Sequence, residues 1–214
     1  METAYQRTDR TTPTRYRERA RYDRETVHRI LDEALICHLG YVSAGRPAVL
    51  PTTHARLGET LYLHGSTGSG PMLAAKAREG LPVCVTVTLV DALVLARSAL
   101  HHSLVYRSAV VVGDARPVDD AAEKVQALHC LLDHIAAGRS ADCRTPNARE
   151  LAMTGVLALD LVEVSAKVRD GGPVDDPEDL ALPYWAGIVP LHLTAGTPVP
   201  ADDLDPAIAL PSYL

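Results

Sequence analysis

Phenylalanine is absent from the 214 residues, and tryptophan occurs once, at Trp185. The interior must therefore be aliphatic, with Tyr placed where its hydroxyl can find a partner. No apolar run approaches the roughly 20 residues of a membrane span. The N-terminus is too polar and arginine-rich for a secretory signal, so a cytoplasmic address is expected. Cysteine is sparse: Cys37, Cys84, Cys130 and Cys143 are widely separated, with no CxxC and no His/Cys pair at zinc-finger spacing. Their apolar surroundings point to free thiols. Positive charge is also in deficit, with 21 Lys and Arg against 27 Asp and Glu and a net charge of -6. That balance argues against a nucleic-acid partner. The exception is local, because Arg7, Arg10, Arg15, Arg17, Arg19, Arg21 and Arg24 crowd the first 24 residues and read as a solvated or partner-bound basic arm.

What is present is enough apolar sequence, 47 % of residues, for one sizeable core. Residues 1–22 lack hydrophobic period, 23–195 alternate strand and helix signals, and 196–214 form a proline-rich tail. Asp23 reads as the N-cap of a helix ending near Ala34. Leu35 to Val42, Ala48 to His54 and Thr60 to His64 follow as three strands around a Ser43 to Pro47 turn and an Arg56 to Glu59 turn. A helix from Pro71 closes at Gly80. Pro82 to Ala99 is a strand pair or one long bent strand broken at Asp91, and Tyr106 to Val118 is another strand with a bulge at Gly113. Asp119 or Asp120 caps an amphipathic helix to about Ala137, and Thr145 and Pro146 start a shorter one to Met153. Gly155 to Lys167 and Ala186 to Leu193 are the final strands. This order is not βαβ alternation and favours a mainly β (α+β) fold, an antiparallel barrel with peripheral helices.

The stretch Leu61 to Met72, LYLHGSTGSGPM, runs from a strand through a Gly/Ser/Thr loop into a helix. Such a loop can hold a phosphate or carboxylate with backbone N–H groups at a helix start. It is not a P-loop, since GK[ST] is missing. Arg97 and Arg107 interrupt apolar strands and need anionic partners: a cofactor phosphate, a substrate carboxylate, Asp91 or Asp114. Ser98, Ser103 and Ser108 lack a nucleophile-elbow context. The Asp175 to Asp179 run reads as a solvated loop, and Glu123 and Lys124 as surface residues.

The blocks TRYRERARYDRETVHRILDEALICHLGY, VLPTTHAR, LYLHGS, PVCVTVTLVDALVLARSALHHS, YRSAVVVG and YWAGIVPL together resemble the pyridoxamine 5'-phosphate oxidase-like flavin-binding split barrels. Within them the chain is most similar to the branch containing Nim-type nitroimidazole-resistance proteins, over about residues 12–195. The resemblance implies an antiparallel split β-barrel and a homodimer with FMN in a groove at the subunit interface. It places Leu50, Pro51, Thr52 and Thr53 along the isoalloxazine ring, His64, Gly65 and Ser66 near the ribityl phosphate, and Thr67 and Ser69 to Met72 beyond them. Tyr106, Arg107 and Ser108 match a block lining the pocket from the partner subunit, and Trp185 fits an aromatic near the flavin edge. Gly70-Pro71 stands where many relatives carry a cation, which Lys76, Arg78 or Arg107 would have to replace. Val105 stands where relatives often have Asn.

By the same resemblance the expected activity is an FMN-dependent oxidoreductase passing electrons from a reduced nicotinamide or another donor to a small organic acceptor or dioxygen, with His64, Tyr106 and Arg107 as positioning side chains. His64 is the candidate catalytic residue. Vitamin B6 oxidation is not expected, because no basic cluster for a substrate phosphate is matched. One alternative is a haem-binding barrel with His54, His64, His101 or His102 as axial ligand. A second is a flavin-storing or sensing protein without turnover.

Overall fold

In the computed structural model, which describes residues 3–214, the Asp23 carboxylate accepts from the Thr26 N–H at 2.8 Å and starts the first helix. The elements follow as β1 (Ala20–Arg21), α1 (Arg24–Glu33), β2 (Ile36–Ser43), β3 (Arg46–Leu57), β4 (Thr60–Ser66) and α2 (Gly70–Arg78). Then come β5 (Leu81–Leu95), β6 (Ser103–Pro117), α3 (Ala121–Ile135), α4 (Ala148–Met153), β7 (Thr154–Asp160), β8 (Glu163–Arg169) and β9 (Gly187–Pro190). Every strand pairing is antiparallel. The pairings β2–β3, β3–β4, β4–β7, β7–β6, β6–β5 and β5–β2 return to their starting strand and so form a ring. β8 and β1 extend it beyond β6, and β9 lies on the other edge of β5. The fold is mainly antiparallel β with peripheral helices, as expected.

The core is aliphatic. Val27, Ile30 and Leu31 of α1 pack with Leu61 and Leu63 of β4, Val83, Val85 and Val87 of β5, Ala109 and Val111 of β6 and Leu157 and Leu159 of β7. Burying a Val, Leu or Ile side chain contributes about 1.5–3 kcal/mol, so this interdigitation orients the elements that carry the site.

Several local expectations are corrected. Of the two readings of Pro82 to Ala99 the single bent strand holds, as Leu81–Leu95 with a bulge between Val90 and Ala92, whereas the bulge expected at Gly113 is not there, the register through it being regular. Gly113 has another reason to be glycine: a Cβ there would lie 3.0 Å from Leu159 Cδ1. Gly155 to Lys167 is two strands serving different neighbours, β7 on β4 and β8 on β6. α2 ends on Glu79, with φ 56°, one residue before Gly80. The short helix begins at Ala148 behind an Asn147/Glu150 capping box rather than at Pro146.

The N-terminal segment is not a free arm. Ala4 bridges to Asp23, β1 pairs with β8, and Tyr5, Thr11 and Tyr22 are buried. The acidic loop is not wholly solvated either, since the Asp175 carboxylate is buried against Arg97. Glu123 leaves the surface role expected of it by accepting from Tyr62 and Arg116.

Candidate functional site

Strand pleating sorts the predicted residues onto two faces. In β2, Cys37 and Leu39 point into the core, which turns Ile36, His38 and Gly40 outward. The register carries that outward face across the sheet in rows. Pro51, His38, Thr86, Val110 and Ser165 form one row, and Thr88, Ser108 and Lys167 form part of the next, with Thr53 and Ile36 alongside. Val90, Tyr106 and Arg169 follow. Thus Pro51, Thr53, Tyr106 and Ser108, four residues expected at a flavin, share one face, exposed at Pro51 and bordered at Ser108 by residues 10–13 of the same protomer. Leu50, Thr52 and Arg107 belong to the opposite pleat.

His64 joins this face from β4. Its Nδ1 lies 3.5 Å from Thr53 Oγ1, at the limit of a hydrogen bond. One edge of the ring is open to solvent, yet desolvation by the sheet pushes its pKa below the ordinary histidine value. Neutral imidazole is therefore favoured, able to donate from one nitrogen and accept at the other.

The loop after β4 has fewer free donors than its composition suggests. Thr67 gives both its N–H and its hydroxyl to Met153 O, at 3.0 and 3.3 Å. Gly68 N–H turns back on Ser66 Oγ, and Ser69 N–H on Ser66 O. What remains is the start of α2. The first helical bond runs from Leu73 N–H to Ser69 O, ahead of which lie the amides of Gly70 and Met72, and Ser69 makes no side-chain cap. Among the four α-helices, α2 alone lacks a side-chain cap. Gly155 fixes its seat, since a Cβ there would come within 2.8 Å of Met72 Cγ and Sδ. Lys76 stands exposed in the last turn of this helix.

Arg107 is committed elsewhere. Its guanidinium makes paired bonds to Asp91, at 2.9 and 2.7 Å, and to Glu33 of α1. Those bonds hold both carboxylates below the usual range and raise the guanidinium further. A doubly neutralised arginine on the inner pleat is not a phosphate ligand, and this corrects the expectation for Arg107. Arg97 likewise meets Asp175.

The histidines separate clearly. His54 is fully buried; its Nε2 lies 2.9 Å from Leu31 O and its Nδ1 has no partner. With no exposed edge to offer an iron, it is a core residue rather than a haem ligand. Burial pushes its pKa down to about 4, with the carbonyl of Leu31 opposing and nearby His134 adding to the depression. His101 Nε2 faces Asp176 at 3.2 Å. His102 Nδ1 lies 3.0 Å from Ser98 O; a proton there leaves Nε2 as the basic nitrogen, exposed to solvent. Metal-binding histidines are fixed in this way. His38 was missed by sequence reasoning, although a histidine alternating with Ile36 and Gly40 opposite the buried Cys37 and Leu39 is a legible signal. Trp185 lies over Gly187, where a Cβ would stand 2.9 Å from two indole carbons, and keeps 66 % of its surface exposed.

A sequence profile described as pyridoxamine 5'-phosphate oxidase matches residues 23–168. The chain belongs to the pyridoxamine 5'-phosphate oxidase family. Among solved structures of similar fold is the flavocytochrome Anf3 from Azotobacter vinelandii, 38 % identical, covering 96 % of this chain and 95 % of that one, with a TM-score of 0.88. A FAD- and haem-binding protein from Mycobacterium smegmatis is 36 % identical over 91 % of this chain and 95 % of its own, with a TM-score of 0.85. A candidate 5-nitroimidazole antibiotic resistance protein from Bacteroides thetaiotaomicron shares the fold at 23 % identity, covering 70 % of this chain and 86 % of that one, with a TM-score of 0.59. No curated protein sequence matches. Within the pyridoxamine 5'-phosphate oxidase family fold, the site residues lie on β3, β4, β6 and the start of α2. No helix among the described residues is long and apolar enough to cross a membrane.

Proposed function

We propose that the protein is a flavin-dependent oxidoreductase, active as a homodimer, whose flavin lies along the outward face of β3, β4 and β6. The observation that carries this reading is the placement of Pro51, Thr53, His64, Tyr106 and Ser108 on one outward face, in a chain to which two similar flavoproteins align over nearly its whole length. Pro51 and Thr53 would flank the ring, His64 and Tyr106 would offer donors to it, and the start of α2 with Ser69 would meet the ribityl phosphate. FMN is the part of the cofactor that these residues address, whether it arrives alone or within FAD. When bound, flavin supplies hydride or single-electron transfer. The chain's own residues orient it, and the neutral His64 ring can hold or give a proton at the site.

The exposed apolar residues of this face, Ile36, Val49, Val90, Leu93 and Leu104, supply the surface that a second copy would cover. A small organic molecule or dioxygen would receive the electrons, and a reduced nicotinamide would provide them. Anaerobic addition of reduced nicotinamide to flavin-loaded protein should bleach the flavin; a flavin that stays oxidised with every nicotinamide tried, yet is reduced by dithionite, favours storage or sensing.

A second cofactor is favoured by the haem of the two relatives and by His102, whose ring is already oriented by Ser98. His102 is the histidine that would hold a haem iron through Nε2, with His38 and His64 as exposed alternatives.

A further inference from the structure

The residues left out of this account are the N-terminal basic ones, and they border a hollow. Residues 10–13 lie beside the outward face of β6 and β8 and border an open hollow of about 220 Å³ lined by Arg10, Ser108, Ser165 and Lys167, with Val110 between them. No carboxylate lines it. Arg10 is partly spoken for, since its Nε and Nη2 bind Glu163 at 2.9 and 2.5 Å, but Lys167 has no acidic partner among the described residues. The Ser108 hydroxyl makes only a long 3.4 Å contact, to Lys167 O.

Beside the hollow, three cations converge on one ring. Arg19, Arg15 and Lys167 lie 4.0, 5.3 and 5.7 Å from the centre of Tyr16, with Glu18 as the one carboxylate paired with them among the described residues. Tyr16 is itself held at φ 56°, ψ 49°, a left-handed conformation that is rare for a bulky residue and that clusters at ligand sites.

We infer that this hollow is an anion subsite for a phosphate ester, with Lys167 as its charge and Ser108 and Ser165 as its hydroxyl donors. Ser108 also belongs to the face assigned to the flavin. The inference rests on that reading in one respect: the adenylate end of a FAD shared across the homodimer, its ribityl phosphate at α2 of one protomer and its adenylate at the hollow of the other, would be one source of the ester, and a free phosphorylated ligand the other.

The test is calorimetric titration of flavin-free protein with inorganic pyrophosphate, ADP, FAD and FMN, repeated on Lys167→Gln and Ser165→Ala. Wild type should bind pyrophosphate and ADP, and Lys167→Gln should weaken both about tenfold, about 1.4 kcal/mol. FAD weakened by the same factor with FMN unchanged identifies the dinucleotide as the source. ADP weakened with both flavins unchanged identifies a free phosphorylated ligand. A wild type that binds neither pyrophosphate nor ADP, or a Lys167→Gln variant that binds both as tightly as wild type, overturns the subsite and means the cations serve Tyr16 alone. A protein that binds ADP in this manner but no flavin contradicts the flavin reading while leaving the subsite standing.

Discussion

Arg97 gives both its backbone N–H and its Nη1 to the carboxylate of Asp175, each at 2.9 Å, and the Asp175 side chain is 1 % exposed. Ser98 N–H adds a third bond at 3.3 Å. One buried carboxylate thus pins the loop after β8 to the β5–β6 hairpin, ten residues before the sole tryptophan. Burial opposes ionisation, but the bonds from Arg97 and Ser98 prevail and lower the pKa of Asp175. A depressed carboxylate stabilises above its unfolded pKa and ceases to do so as pH falls through the folded one.

Asp175→Asn should therefore loosen the loop and make Trp185 more accessible to acrylamide quenching at pH 7. In wild type the same rise should appear only in acid, as the carboxylate is protonated. Quenching that is identical in the two proteins at pH 7 would show that Asp175 does not position this segment.

His54 makes stability depend on pH in the same direction for the opposite chemical reason. A base whose folded pKa, about 4, lies below the ordinary 6.5 binds its proton more readily when unfolded. Its contribution is complete above pH 6.5 and is lost as pH falls toward 4. Between pH 7 and pH 5 this single group should remove about 2 kcal/mol of stability. Urea unfolding of wild type and His54→Leu at both pH values measures it; equal losses in the two proteins would contradict the assignment.

Arg107 and Ser69 should behave oppositely. Arg107→Gln strips Asp91 and Glu33 of their partner and should cost about 1–3 kcal/mol of stability, with flavin affinity little changed. Ser69→Ala should leave stability within about 0.5 kcal/mol and lower flavin affinity. Thermal unfolding and flavin titration of both variants separate the roles, and a loss of flavin affinity larger in Arg107→Gln than in Ser69→Ala would reverse them.

Much of this was legible in the sequence. Asp23 and Asp120 announced their helices, and the apolar runs on either side of the Ser43 to Pro47 and Arg56 to Glu59 turns announced β2, β3 and β4. The division at Leu161 was not legible, because what separates β7 from β8 is their pairing, β7 along β4 with a short contact to β6 and β8 along β6, which no sequence neighbour records. For Arg107 the sequence named Asp91 among several anions without choosing it over a cofactor phosphate, because a one-residue step in a strand reverses the face and its second partner, Glu33, is 74 residues away. The loop's donors were overcounted because Met153, which accepts from Thr67, is 86 residues distant.

Gly155→Ala should act through the helix it seats. Its methyl would press on Met72 and move the start of α2, costing about 1–3 kcal/mol. Flavin affinity should fall with it, although Gly155 is not among the proposed contacts. Stability lost without any change in flavin affinity would show that α2 does not hold the phosphate.

The most direct measurement is the absorption spectrum of the purified protein, with the released cofactor identified by chromatography. The account predicts the two absorption bands of an oxidised flavin, with a Soret band in addition if His102 holds haem. A colourless protein that neither FMN nor FAD can restore would contradict it.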